Sequence, residues 1–263
     1  VVRQTDGTRK KIYMLPGNTG NTGVVNAQEN VFEVALGAGT LNAVMIGGGG
    51  SGGSCSSASN STGGGGAGGV VGTGAHVPII LPIQGQATYT IKVASKTFVN
   101  TTYNGDSHAQ STTIQVKDQP QPFLAAVGGG SGIKKGSANT AYAHMGASGG
   151  GGLVALGTGV TGQQNSEAAP GIPGQGSTGM WHSDGGGGGG YSEGGLNQKT
   201  GGHGFDLEGA LSLDRNDAAT AAFLAAVTED GEVAGGGSGR NASTAYGGGG
   251  RNGQKNAQDY TGS

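Results

Sequence analysis

The sequence predicts a mainly β protein that carries a bundle or sandwich of extended glycine helices and little or no α-helix. Three observations predict this class: 62 of the 263 residues are glycines, the glycines cluster in tracts, and apolar strand-like segments are fused to those tracts. Because glycine has no Cβ, tracts can pack side by side as extended helices with three residues per turn, here called polyglycine II. A flexible linker is the alternative, but linkers rarely carry apolar segments at both ends.

Order in such tracts requires many neighbours. Fixing each backbone costs roughly 1–2 kcal/mol, whereas a backbone hydrogen bond contributes about 1 kcal/mol net. A single tract is therefore unstable, and only a bundle of tracts can be ordered. A valine at Gly187 is expected to disrupt such a bundle. The glycines expected to form the scaffold are Gly47, Gly48, Gly49, Gly63, Gly64, Gly65, Gly128, Gly129, Gly185, Gly187, Gly235 and Gly247.

The chain divides into three predicted regions. Residues 1–46 are predicted to be a β-rich attachment or assembly region, with strands at Lys11–Leu15 and Val31–Leu36. Residues 47–127 hold the first tract pair, 47–53 and 63–69, followed by alternating strands at 87–93 and 112–116 and a proline-interrupted edge strand at 77–81. Residues 128–263 are predicted to be a polyglycine II region with display loops.

An internal repeat links the glycine tracts. Phe123–Val127 precedes GGGSG at 128–132, and the same pentapeptide at Phe223–Val227 precedes GGGSG at 235–239. Each copy continues through a polar segment, 137–142 or 241–246, towards another tract. The pattern predicts one repeated unit in which a tract runs up, a polar loop follows and a second tract runs down. Residues 217–227 are interpreted as a strand or a short helical turn, because the twin at 123–127 is too short for a helix.

The order of strand, tract, tract and strand resembles the glycine-rich domains of bacteriophage tail fibres. The residues that carry the resemblance are Ala43–Ile46 with the following GGGG, 63-GGGGAGGVV-71 and 85-GQATYTIKV-93, within residues 31–152. Residues 128–263 resemble, in composition, the glycine-rich distal adhesins of T-even-like phages. This resemblance implies a polyglycine II sandwich whose variable loops bind outer-membrane receptors. Residues 1–30 lie outside it.

Several function classes are excluded by the sequence. No phosphate-binding loop and no His/Cys metal spacing occur, and Trp181–Asp184 cannot form a triad because its residues are consecutive. The net charge of −2 does not provide the excess of basic charge that is typical of nucleic-acid-binding proteins. No stretch approaches the roughly 20 apolar residues of a membrane span. We therefore expect a non-enzymatic protein without cofactor or metal. Cys55 is expected to be a bystander thiol, and the start at Val1 indicates a processed chain or a piece of a longer one.

The candidate binding residues are aromatic and polar side chains in predicted loops. Tryptophan and tyrosine offer rigid amphipathic surface for a glycan or a receptor loop. The alternative is that these rings only cover the end of a glycine bundle. The candidates are Trp181, His182 and Tyr191; Tyr142, His144 and Met145; and Tyr246.

The sequence thus predicts a structural and receptor-binding protein of a phage tail fibre or tail tip, located in the virion. Its expected partners are other virion proteins at the N-terminal region and a host cell-surface protein or glycan. A self-assembling extracellular filament or matrix protein is the alternative, and a glycine-helix ice-binding protein is a weaker one. The chain is expected to form a homo-oligomer, a trimer in the tail-fibre interpretation and a filament in the self-assembly interpretation. Sequons occur at Asn60, Asn100 and Asn241.

Overall fold

In the part of the chain that the structure describes, the fold combines small, mainly antiparallel sheets, a glycine bundle and two helices. The computed structural model describes residues 1–17, 30–50, 52, 63–72, 79–94, 109–132, 146–149, 152–154, 165–166, 176–177, 179, 181–182, 187–195, 200–228 and 231–239. The elements are β1 (Val2–Arg3), β2 (Arg9–Lys10), β3 (Asn30–Leu36), β4 (Thr40–Leu41), β5 (Val44–Ile46), β6 (Val70–Gly72), β7 (Ile79–Ile80), β8 (Ala87–Val93), β9 (Thr112–Val116), β10 (Leu124–Ala126), β11 (Gly152–Val154), β12 (Asn165–Ser166), β13 (Trp181–His182), β14 (Phe205–Asp206), α1 (Leu207–Ala210), α2 (Ala218–Val227) and β15 (Glu232–Val233). The predicted mainly β class with little α-helix is confirmed.

The largest sheet has four antiparallel strands in the order β10-β9-β8-β3. The strands predicted at 31–36, 87–93 and 112–116 are confirmed as β3, β8 and β9. Their alternating side chains bury one face of the sheet, where Tyr89 and Ile114 are 0% and 1% exposed. This core also takes in Met45 and Ile79 from the neighbouring two-stranded sheets.

The tracts form hydrogen bonds with each other at a three-residue spacing. Gly47 N–H donates to Gly69 O at 2.9 Å, and Gly50 N–H donates to Gly66 O at 2.8 Å, so the first two tracts run antiparallel. The second tract, 63–69, also runs antiparallel to the tract at 128–132, because Gly69 N–H donates to Val127 O and Gly66 N–H donates to Gly130 O. A repeat of three residues per turn, with no described tract glycine at positive φ, is the arrangement of polyglycine II.

Residues 63–69 form the centre of the bundle and are called the central tract. Ala67 N–H donates to Gly189 O at 2.9 Å, while Ala67 O accepts from Ser148 N–H at 3.2 Å. Gly65 O accepts from Gly237 N–H at 2.9 Å. Every residue of this tract is buried. Its hydrogen-bonded or closely packed neighbours are 47–50, 127–132, 146–149, 187–190 and 235–239.

The bundle leaves no room for side chains at most of its described glycines. A Cβ on Gly64 would overlap Gly237 O, and one on Gly129 would overlap Gly66 O. The equivalent positions Gly47, Gly128 and Gly187 would also meet backbone oxygens of a neighbouring segment. Glycine is therefore required by contact between backbones rather than by unusual dihedral angles.

The prediction for residues 217–227 was wrong, because this segment forms the ten-residue helix α2. Asp217 caps the helix by accepting from Thr220 N–H, and the following alanines are the strongest helix formers. Thr220 and Leu224, one turn apart, form its buried side.

The N-terminal hairpin β1–β2 packs on this helix. Arg3 N–H donates to Thr220 Oγ1 at 2.8 Å, and Arg3 O accepts from Asp214 N–H at 2.9 Å. Val2, Leu213 and Leu224 form a small core, against which Ile12 packs. Contacts thus join the first and third predicted regions, just as β3 joins the first to the second through β8.

The strand predicted at Lys11–Leu15 was also wrong, because residues 11–17 form no regular structure. The short hairpin pairs Val2 with Lys10 and Arg3 with Arg9, so it ends before Lys11. Pro16 lacks the N–H that a longer strand would use.

Candidate binding surfaces at the two ends of the glycine bundle

Several tracts begin or end at one end of the bundle, here called the distal end. Gly52 and Gly132 both approach Gly63 O, and Gly64 approaches Gly237 O and Ser238. Gly187 approaches Thr200 O, and Gly188 approaches Gly65 O. The described residues at this end therefore include at least one near neighbour in the chain of each of the segments 53–62, 133–145, 183–186, 196–199 and 240–246.

The opposite end, here called the strand end, is where tracts continue into strands. An apolar core covers it, with Val70, Phe205 and Val233 buried and Ile46 packed against them. These residues come from β5, β6, β14 and β15, which extend the backbones of four tracts. The strand end is therefore covered by packed side chains, whereas the bundle itself is held together by contacts between backbones.

Tyr191 lies at the strand end, immediately after the tract 187–190. Its ring packs edge-to-face on Phe205 with centroids 5.2 Å apart, and its N–H donates to Ala234 O at 3.0 Å. Burial raises the pKa of the Tyr191 hydroxyl above its ordinary value. The structure thus places this candidate in a packing role, away from the distal end.

An open cleft of about 320 Å³ lies beside Tyr191. The Glu232 carboxylate accepts from Gly204 N–H at 2.9 Å and lies 3.3 Å from His203 Nδ1. Asp206 accepts from Gly209 N–H at 2.8 Å and caps α1. Both carboxylates therefore hold local structure. The cleft is lined by Tyr191, Ser192, Gly204, Phe205, Asp206, Ala210 and Glu232.

The other candidates are only partly within the described chain. Trp181 and His182 form β13, which pairs parallel with Gly152 and Leu153 of β11. Tyr142, His144, Met145 and Tyr246 lie outside the described residues, as do Gly185 and Gly247, Cys55 and the three sequons. Of the candidates that the structure describes, Trp181 and His182 therefore lie in β13, and Tyr191 lies at the strand end.

Within the described residues, no group of three or more His, Cys, Asp or Glu side chains is placed to hold a metal ion. Among the helices that the structure describes, none is long and apolar enough to cross a membrane.

Within the N-terminal region predicted for attachment, residues 9–14 form an exposed surface that was not among the candidate binding residues. Arg9, Lys10 and Lys11 are exposed, and Tyr13 and Met14 are 75% and 60% exposed. Three consecutive basic residues beside an aromatic residue and a methionine were a visible signal. It was missed because the segment was interpreted as a strand.

The comparisons with known proteins point to one family. A family model described as "Glycine-rich domain" matches residues 24–263. No curated protein and no solved structure matches the chain. Because the matched residues include every described tract, the protein belongs to the glycine-rich domain family.

Proposed function

We propose that this chain is a non-enzymatic structural and receptor-binding protein of a bacteriophage tail fibre or tail tip, located in the virion. It displays variable loops on a polyglycine II scaffold for recognition of a host-surface protein or glycan. The observation that supports the proposal is the distal end, where tract ends from distant parts of the chain meet.

The mechanism is rigid display. Backbone packing fixes Gly63, Gly132 and Ser238 beside their neighbours, so the ends of the attached segments are positioned before any ligand arrives. Less ordering entropy is then lost on binding. Since the bundle contacts are made by backbone, substitutions in the attached segments leave the scaffold contacts unchanged.

Binding of the purified chain to a panel of Gram-negative cells tests this function. We expect saturable binding to a subset of strains, reduced about tenfold or more by combined alanine substitutions at Tyr142, His144 and Met145. Tyr246→Ala and Trp181→Ala test two further candidates separately. Ile80→Ala is the matched control, because Ile80 is 71% exposed on β7 outside the bundle. Absence of binding to every strain, or equal loss in the control, would overturn the proposal.

A second candidate function is a self-assembling extracellular filament. It is favoured by β3, a seven-residue strand at the edge of the main sheet, whose Val31 is 57% exposed. Such an edge can pair with another chain. Negative-stain electron microscopy with light scattering distinguishes the two: discrete particles support the adhesin, and long regular filaments support self-assembly.

A further inference from the structure

We propose that residues 9–14, here called the basic segment, form a docking surface for an acidic peptide segment of a neighbouring protein. This inference rests on the proposed function, for which it supplies the attachment surface and the chemistry of the partner. The argument uses the position, the charge and the exposure of the segment.

The basic segment lies beside the strand end of the bundle. Leu211 packs both against the core that covers the strand end and against the small core beneath the N-terminal hairpin. Ile12, in the middle of the basic segment, packs on this second core. The segment is therefore fixed next to the strand end rather than at the distal end, so an attachment there would leave the distal end free.

The charges of the segment are only partly compensated. Arg9 lies 3.6 Å from the Asp217 carboxylate, and Arg3 on the paired strand lies 3.9 Å from Asp214. Lys10 and Lys11 have no acidic side chain within ion-pair distance among the described residues. Asp6, on the same hairpin, attracts Lys10 through space. Two lysine ammonium groups thus remain available to carboxylates of a partner.

Exposed apolar surface lies next to these charges. Lys11 Nζ sits 4.8 Å from the centroid of the Tyr13 ring, which is itself 75% exposed. Met14, 60% exposed, follows it. Tyrosine and methionine are enriched in protein interfaces, and a cation over an aromatic ring holds both groups in one place. An acidic peptide that also carries apolar side chains matches this combination better than a purely anionic polymer does.

An array of immobilised short peptides, varied independently in Asp/Glu content and in Leu/Phe content, tests the proposal with the full-length chain as probe. We expect binding to increase with both contents and to weaken as salt rises. Combined Lys10→Ala and Lys11→Ala substitutions should lower affinity about tenfold, and Tyr13→Ala with Met14→Ala by a similar factor. All four side chains are exposed, and unchanged melting temperatures would verify that the variants fold.

The matched control replaces Lys92 and Lys117 by alanine, which removes the same charge from the main sheet. Equal loss in this control, or no preference for acidic peptides, would overturn the proposal. Stronger binding to single-stranded DNA or to anionic phosphatidylglycerol vesicles than to any peptide would also overturn it. Alanine substitution at Tyr142, His144 and Met145 should leave peptide binding unchanged, so failure of host-cell binding and failure of peptide binding are distinguishable.

Discussion

The glycine bundle and the four-stranded sheet are held together in opposite ways. In the bundle, Gly66 has no side chain, donates to Gly130 O and accepts from Gly50 N–H, each at 2.8 Å. In the sheet, Ile114 and Tyr89 are buried among other side chains. One added carbon should therefore damage the bundle, whereas removed carbons should damage the sheet. Sensitivity to mutation depends on which part of the residue makes the contact.

The largest expected effect is that of Gly66→Ala, because its Cβ would overlap the carbonyl oxygens of Ser148 and Gly149. We expect a loss in the free energy of unfolding of at least about 3 kcal/mol, measured by chemical denaturation. Gly52→Ala is the control within a tract, because its Cβ would lie 3.8 Å from Gly63 O, an ordinary contact. Similar stability of the two variants would contradict backbone packing.

Ile114→Ala tests the sheet. Ile114 is 1% exposed, and its truncation should lower the free energy of unfolding by about 3 kcal/mol through lost burial and a cavity. Thr113→Ala, at the next position and on the other face of the sheet, serves as control and should have little effect. A small loss for Ile114→Ala would show that the sheet, like the bundle, depends mainly on its backbone.

Asp217→Ala should have a smaller effect, confined to the helix. The pKa of the Asp217 carboxyl is lowered, chiefly by the hydrogen bond from Thr220 N–H. Its stabilising effect is therefore present above the ordinary aspartate pKa and is lost as pH falls through the lowered value. We expect lower stability and less helical circular dichroism at neutral pH. Asp217→Asn, which keeps the cap without the charge, should retain the helix but lose this pH dependence. Equal loss in both variants would assign the effect to charge instead.

Tyr89→Phe should give the smallest change, and in the opposite direction. The Tyr89 hydroxyl is buried and finds no hydrogen-bond partner among the residues that the structure describes, which is unfavourable. Its removal is expected to raise the free energy of unfolding by about 1 kcal/mol, visible as a higher denaturation midpoint. Tyr191→Phe, which removes the hydroxyl of a half-buried ring, is the variant with which Tyr89→Phe is compared. A lower midpoint for Tyr89→Phe would indicate that the hydroxyl has a favourable interaction.

The two copies of Phe-Leu-Ala-Ala-Val explain why part of the fold was predictable and part was not. At 223–227 the pentapeptide continues a helix that Asp217 and four alanines have already begun. At 123–127 it follows Pro120 and Pro122, and Leu124 pairs with Ile114 in a strand. Identical residues thus adopt two structures, because the preceding residues and the available partners differ. Comparison of the copies with each other led to the wrong prediction.

Long alternating strands and glycine tracts were predictable because their signals are local. The bounds of β8 and β9 follow from alternation, and polyglycine II follows from tracts fused to strands. The position of Tyr191 was not predictable, since its contact with Phe205 depends on how two tracts align side by side. Residue type alone could not separate a ring that packs from one that binds.

The central position of residues 63–69 has a consequence for folding on the ribosome. Gly65 O receives its partner only when Gly237 has been synthesised, whereas the sheet from β3 to β10 is complete by Ala126. The bundle must therefore close late and over long sequence separations, which slows folding. Until then, the unpaired tracts expose hydrated backbone rather than apolar side chains. The nascent chain therefore exposes little apolar surface that could cause aggregation during this delay.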